Sequence, residues 1–527
     1  MRKILAMTMA VLLVVSLAAC GDTSATDSSL TSAVATESTT TTGSRATTAS
    51  RDVKTTTTTS ATTASVVVPN EKPITYNTAI LFDGQHSSYD NKAESKRQSI
   101  LGAKDTVKAS GTTYYVSYNG SDANDGLTPA TAWRSTQRVG AAVIMMEKNC
   151  TVLFERGGVY RGTMLLRDGM TVGAYGSGSK PQLYASLQNY ADESLWKETS
   201  TANVWRIKLE GLSDVGNIIF DHGKACASAG KRLNLKAVTE DMSYYHDTNK
   251  GYLYLYMSKG NPGKLYSSIE IATNKHALGA YTPDATLENV TIENLCIKYT
   301  GAHGISFGSA KNVKITNCEI GYIGGSMQNG KKVRYGNGIE FYGDVEGALI
   351  ENNWIYQCYD AGYTNQGAGN VQNNITVKGN LIEYCNYNIE VFISEKEGGK
   401  VTNTSYESNI LRFAGYGFGS YNRIGSDCSQ TANIRNSLST QPCQNFVIKN
   451  NVFDCSAYRL VNSGYVDGKN GPLFSGNTWI QNDNTKTACA VKYCKDGKVA
   501  SDQPAGDLAT MKASVALVDK TATVIFE

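Results

Sequence analysis

The chain has 527 residues, with 50 Lys plus Arg against 47 Asp plus Glu and a formal net charge of +3. With charged residues at only 18%, that balance excludes the concentrated basic surface of a nucleic-acid binder. One long apolar run, confined to the extreme N-terminus, excludes a polytopic membrane protein, and 50 Gly with 31 Tyr suit a β-rich exported chain.

The first segment is an address. Arg2 and Lys3 form a positive n-region, Ile4 to Ser16 is apolar, and Leu17-Ala18-Ala19-Cys20 follows. Residues 1–19 read as a signal peptide, and the string before Cys20 resembles the bacterial lipobox. The resemblance implies that Cys20 becomes the lipidated N-terminus, which tethers an exported, outward-facing protein to the membrane. Residues 20–70 are the expected linker. Between 21 and 65, Thr and Ser make up 26 of 45 residues. Such a segment buries too little apolar surface to offset its conformational entropy, so it reads as a disordered stalk. Five His and no zinc-spaced Cys pair give no expectation of a bound metal.

The remainder divides into an N-terminal cap with the first coils (71–184), a β-rich insertion (185–284), a repeat region (285–485) and a C-terminal cap (486–527). One phrase recurs through the repeats, marked by Asn294, Asn317, Asn353, Asn380, Asn409, Asn451 and Asn477, at spacings of 23, 36, 27, 29, 42 and 26. A base period in the twenties with occasional insertions is a solenoid pattern. Alternating apolar residues around each Asn argue for strands, and an Asn at a fixed turn of each coil can stack on the next. The expected fold is all-β, a right-handed parallel β-helix whose coils rise about 4.8 Å each.

Residues 114–133, Tyr-Tyr-Val-Ser-Tyr-Asn-Gly-Ser-Asp-Ala-Asn-Asp-Gly-Leu-Thr-Pro-Ala-Thr-Ala-Trp, resemble the opening of bacterial secreted β-helix proteins of the pectate-lyase-like superfamily. Residues 152–162 and 173–181 are similar to the coils that follow in such proteins, and the likeness extends over about 112–480. It implies the fold and a carbohydrate-active setting. It does not choose among hydrolases, lyases, epimerases and adhesins. The string Gly301-Ala-His303-Gly is similar to that of polygalacturonases, but no paired Asp precedes it and Arg206-Ile-Lys208 lies on the wrong side of it.

Stacking the strings after each marked Asn aligns His303-Gly-Ile-Ser306, Asn337-Gly-Ile-Glu340, Asp360-Ala-Gly-Tyr363, Tyr387-Asn-Ile-Glu390 and Gly415-Tyr-Gly-Phe418. Ile305, Ile339 and Ile389 then point inward. Ser306, Glu340, Tyr363, Glu390 and Phe418 share an outer column, while His303, Asn337, Asp360 and Tyr387 share a second one. Glu340, Asp360 and Glu390 are the candidate catalytic carboxylates, because crowded carboxyls push one pKa toward that of a neutral-pH general acid. His303, Arg334, Tyr342, Tyr363, Gln366, Tyr387 and Arg423 are the candidate substrate contacts: rings to stack on sugars, and cations to orient a carboxylate or grip an acidic sugar. Cys358 and Cys385 fall in one column, where a disulfide and a buried thiol stack are both open. The leading expectation is a monomeric glycoside hydrolase on an extracellular polysaccharide, without a cofactor. The alternatives are a polysaccharide lyase, for which the carboxylates would hold calcium, and a non-catalytic glycan-binding or adhesive protein.

Overall fold

The computed structural model describes residues 84–527 except 210, 281–284, 329–332, 395–397, 424–431, 437–442, 465–470, 483–488, 496–497 and 505. Cys20, the expected signal peptide and the Thr/Ser-rich segment lie outside the described residues.

Three long sheets run the length of the molecule. In a typical coil the chain passes through Val345–Glu351 of sheet A, Trp354–Cys358 of sheet B and Ala361–Ala368 of sheet C, then returns to sheet A at Val371–Lys378. Successive coils pair in parallel, as in Val345↔Gln372, Trp354↔Leu381 and Tyr363↔Ile389. Strands that twist to the right close such crossovers right-handed, so the architecture is the expected right-handed parallel β-helix. Its interior is one continuous apolar cluster, from Val116 to Val515, stacked in rows such as Ile305, Ile339, Tyr363 and Ile389.

The recurring phrase has a physical basis. Its first residue, Asn352, Gly379, Ser408, Asn450 or Gly476, turns the corner between sheets A and B at positive φ, from 55° to 67°. Short polar residues and glycine tolerate that geometry. The next residue is the ladder asparagine. Asn353 Nδ2 donates to Asn380 Oδ1 at 3.0 Å, Asn380 to Asn409 at 2.9 Å, Asn409 to Asn451 at 2.9 Å and Asn451 to Asn477 at 3.0 Å. Asp519 closes the series by accepting from Asn477 at 2.8 Å. Asn294 and Asn317 are not members. They hold the positive-φ corner in the first two repeats, and Cys318 stands where the ladder would continue.

The expected insertion folds separately over a second core. It comprises a five-stranded sheet and the antiparallel pair Val215–Phe220 and Ile269–Thr273. It ends earlier than the sequence suggests, since Leu278–Ala280 is already a rung of sheet C. The repeat also runs past 485, because Cys489–Lys495 extends sheet C and Thr523–Phe526 extends sheet B. Helix Leu508–Ala516 places Met511 and Val515 on the core end. At the other terminus, helix Asp90–Leu101 straps the outside of sheet B. Arg97 pairs with Glu383 at 2.7 Å, and Asp90 pairs with Arg412.

Candidate active site

The outer face of sheet C carries the carboxylates. The pairing Ser306↔Glu340↔Thr364↔Glu390↔Arg435 defines one outward column. Glu340 and Glu390 therefore share a face with one coil between them, as expected. The residue between them is Thr364. Tyr363 instead lies in the inward row, fully buried against Phe341 and Tyr406, with ring centroids 6.2 and 6.1 Å away. A one-residue slip exchanges the two faces of a strand, so Tyr363 is a core residue and not a sugar contact. Ala361, not Asp360, falls in register with Tyr387. Asp360 stands at the turn just before it. Phe418 leaves the column too, buried in the short helix Phe418–Tyr421, and Arg435 takes its place.

Glu340 is buried among neutral groups. Its Oε2 lies 3.0 Å from His303 Nε2 and accepts from Ser306 Oγ at 3.1 Å, while its Oε1 accepts from Asn337 Nδ2 at 3.3 Å. Asn337 is oriented by the Ala361 N–H, which donates to its Oδ1 at 2.9 Å, and its Nδ2 also reaches Gln366 Oε1 at 3.4 Å. His303 Nδ1 accepts the Asn337 N–H at 3.0 Å, so the neutral ring carries its proton on Nε2, directed at Glu340. Burial holds His303 down to about 4, with Asp360 pulling the other way, and the imidazole is neutral at pH 7. Burial pushes Glu340 up to about 7. His276, Ser306 and Asn337 oppose that rise, and Asp360 adds to it.

The other two carboxylates have cations. Asp360 is held by Arg423, whose Nε donates to Gly419 O at 2.9 Å and whose guanidinium stacks 4.4 Å over Tyr359. Glu390 Oε1 meets Arg435 at 2.6 Å; burial holds its pKa above the ordinary value, against the opposing pull of Arg435. The Arg435 guanidinium also lies 4.8 Å over Tyr387, so an arginine covers the ring expected to stack on sugar. Tyr342 is half-buried and lies two residues beyond Glu340, just past the end of its strand. Arg334 is a staple: its donors reach Gly325 O at 2.6 Å, Gly216 O at 3.1 Å and Asn422 O, which ties the insertion to the coil wall. Its expected grip on substrate is replaced by this structural role.

Three residues at the site were not expected from sequence: His276, Thr364 and Arg435. Two had a signal. His276-Ala-Leu-Gly repeats His303-Gly-Ile-Ser at a spacing of 27, and Asn433-Ile-Arg435 repeats Asn388-Ile-Glu390. A groove of about 620 Å³ lies elsewhere, beside Lys96, Lys314, Glu351 and Lys378. There Glu351 is paired with Lys378 at 3.1 Å and Glu407 with Lys449 at 2.9 Å. Cys358 and Cys385 are free buried thiols. Among the described residues no cluster of three or more His, Cys, Asp or Glu side chains could hold a metal ion.

No family model matches the chain. Over 203 residues it is 28% identical to a lacto-N-biosidase of Bifidobacterium longum subsp. longum, a match that takes in 36% of this chain and only 12% of that protein. Among solved structures it is similar to a GH136 lacto-N-biosidase from Eubacterium ramulus, at 12% identity and a TM-score of 0.34, covering 79% of this chain and 68% of that one. XylC in complex with xylose matches at 11% identity and a TM-score of 0.41, over 79% and 82% of the two chains. Pectate lyase Pel9A matches at 11% and 0.40, over 75% and 79%.

Proposed function

We propose that the protein is a glycoside hydrolase displayed on the cell surface through a lipid on Cys20 and acting on an extracellular glycan. The observation that carries this reading is the contrast among the three carboxyls. Glu340 has no arginine partner and a pKa near 7, whereas Asp360 and Glu390 are each held by a guanidinium. A buried carboxyl without a cation keeps its proton where one beside a guanidinium is helped to give it up, and that difference divides the acid and base roles. Glu340 is the general acid. Its Oε2 already accepts from both His303 and Ser306, so its proton resides on Oε1, the oxygen with only the longer Asn337 contact. That proton passes to the leaving glycosidic oxygen.

Glu390 is the partner base. It stands two rungs from Glu340, roughly 9.6 Å between backbones, which suits the 6.5–9.5 Å carboxyl separation of an inverting hydrolase with a water between acid and base. Asp360, from the intervening coil, keeps the field negative and favours the protonated form of Glu340. The 28% likeness to a lacto-N-biosidase supports a glycosidase over the other chemistries this fold carries.

The test is incubation of residues 70–527 with an aryl lacto-N-bioside and a panel of plant and microbial polysaccharides, following reducing ends and unsaturated-uronate absorbance together. New reducing ends without absorbance, with the product anomer inverted in proton NMR, are expected. Glu390→Gln should lower kcat by about 10²-fold or more, and Asp360→Asn should shift the alkaline limb of the rate profile to lower pH. Absorbance would make the protein a lyase. Glycan binding without new ends would make the cluster a binding surface.

A further inference from the structure

A second ladder runs along the leading edge of sheet C, beside the carboxyl column. His303 N–H donates to His276 Nδ1 at 3.3 Å, Asn337 N–H to His303 Nδ1 at 3.0 Å, and Ala361 N–H to Asn337 Oδ1 at 2.9 Å. Each side chain is thus gripped by the backbone of the next coil. The grip needs a bare Nδ1 on both imidazoles, so each neutral ring carries its proton on Nε2. The rings are nearly parallel, 13° apart with centroids 5.0 Å apart, and Tyr335 meets His303 edge-on at 5.0 Å.

The two rings therefore present the same donor one rung apart, to different neighbours. His303 is buried and its Nε2 faces Glu340 at 3.0 Å. His276 stands one rung before His303, three residues ahead of Gly279 in the column Gly279↔Ser306↔Glu340. Along that column the side chains shrink from glutamate to serine to nothing, and the Ser306 hydroxyl is directed at Glu340. A Cβ on Gly279 would meet His276 first, 3.5 Å from its Cβ and 3.8 Å from its Cδ2, so the ring rests over the glycine. Among the described residues no group of the chain accepts the His276 Nε2–H. Unlike His303, His276 is exposed. The result is an oriented donor over a notch, one rung from the acid, where the chain supplies no acceptor.

We propose that His276 is a substrate-binding residue whose Nε2–H donates to an oxygen substituent, a hydroxyl or an acyl carbonyl, of the sugar unit seated beside Glu340. The inference rests on the carbohydrate reading of the site but not on hydrolysis. Asn337 holds the same ladder position two coils on, with Oδ1 as the acceptor and Nδ2 as the outward donor. Asparagine should therefore replace His276 in both functions.

The test is made in the Glu340→Gln background, where turnover does not interfere, with lacto-N-biose as the probe. Histidine ring ¹⁵N shifts of the free protein at pH 7 are expected to show His276 as the Nε2–H tautomer, and the signal is expected to move on saturation with the disaccharide. His276→Ala should weaken the Kd at least tenfold, His276→Asn should restore it to within threefold, and Gly279→Leu, which fills the notch, should weaken it as His276→Ala does. An Nδ1–H tautomer, no shift of the His276 signal, an unchanged Kd in His276→Ala, or a His276→Asn variant as weak as His276→Ala would each overturn the assignment. Failure of the wild type to cleave any glycan would defeat the hydrolase reading and leave these readouts in place.

Discussion

Glu340→Gln is expected to lower kcat by about 10²–10⁴-fold, the range for loss of a general acid, with glycan affinity kept within threefold. The amide fills the same space and its oxygen can still accept from His303 and Ser306, while its nitrogen gives up the longer Asn337 contact and has no acidic proton to give. A second consequence separates this residue from an ordinary surface carboxylate. Its folded pKa of about 7 lies above the ordinary 4.5, so the folded state holds the proton more tightly than the unfolded chain does. That contribution to stability is complete below about pH 4.5 and is lost as pH rises through about 7. The difference corresponds to roughly 3 kcal/mol at full ionisation. Glu340→Gln, which stays neutral, should therefore unfold at a higher temperature than wild type at pH 8–9 and at the same temperature at pH 4–5. Denaturation followed by calorimetry at the two pH values checks this. A variant that is inactive and destabilised at both would mark Glu340 as a packing residue instead. The acid is thus kept at a cost to folding that a neutral residue would not impose, a common feature of active sites.

Asn409→Leu is the second large effect, on the scaffold. Asn409 Oδ1 accepts from the Asn380 backbone at 2.9 Å and from its side chain at 2.9 Å; its Nδ2 donates to Val377 O at 2.9 Å and to Asn451 Oδ1 at 2.9 Å. Leucine takes a hydrogen-bond partner from the buried Asn380 N–H and Nδ2, Val377 O and Asn451 Oδ1 on the two flanking coils. At about 1–3 kcal/mol each, the expected loss is on the order of 3–6 kcal/mol. Asn403 belongs to an exposed ladder, donating to Asn373 Oδ1 at 2.8 Å and accepting from Asn445 at 2.9 Å, at a φ of 47°. Asn403→Gly suits that φ and faces solvent, so it should cost less than about 1 kcal/mol. Chemical denaturation of the two variants distinguishes a load on the buried ladder from a general need for asparagine.

The ladder shows how much of the fold can be read from the chain. The corner residue recurs because each of these coils turns at positive φ, and from Asn353 onward an amide that stacks follows it, so the period is written in local chemistry. Asn294 and Asn317 share the letter but not the place: they sit at the corner itself, and a repeat aligned on asparagine alone cannot tell corner from ladder. The same limit applies at the site. Glu340 and Glu390 are found by counting, because the apolar residue beside each, Ile339 or Ile389, fixes which face they occupy. Between them, Asp360-Ala-Gly-Tyr363-Thr364 has no such marker. A tyrosine suits either face, and only the packing of Tyr363 against Phe341 and Tyr406 inside the helix decides it. Arg435 is separated from Glu390 by a long excursion that breaks the period, although its Asn-Ile-Arg string repeats Asn-Ile-Glu and Asn388 Nδ2 bonds Asn433 Oδ1 at 2.6 Å. The pairing of each carboxyl with its cation or neutral shell follows from three-dimensional neighbours dozens of residues apart, so the assignment of acid and base was beyond reach of spacing.

In the proposed mechanism one buried carboxyl, Glu340, is protonated at neutral pH and supplies the proton for glycoside cleavage. The most direct measurement is the pH dependence of kcat/KM on the fastest-cleaved glycoside, which reports the free enzyme's essential groups. The rate is expected to fall tenfold per pH unit above about 7, with that limb absent from the residual activity of Glu340→Gln. A profile flat from pH 5 to 9, or an alkaline limb that survives unchanged in Glu340→Gln, would contradict it.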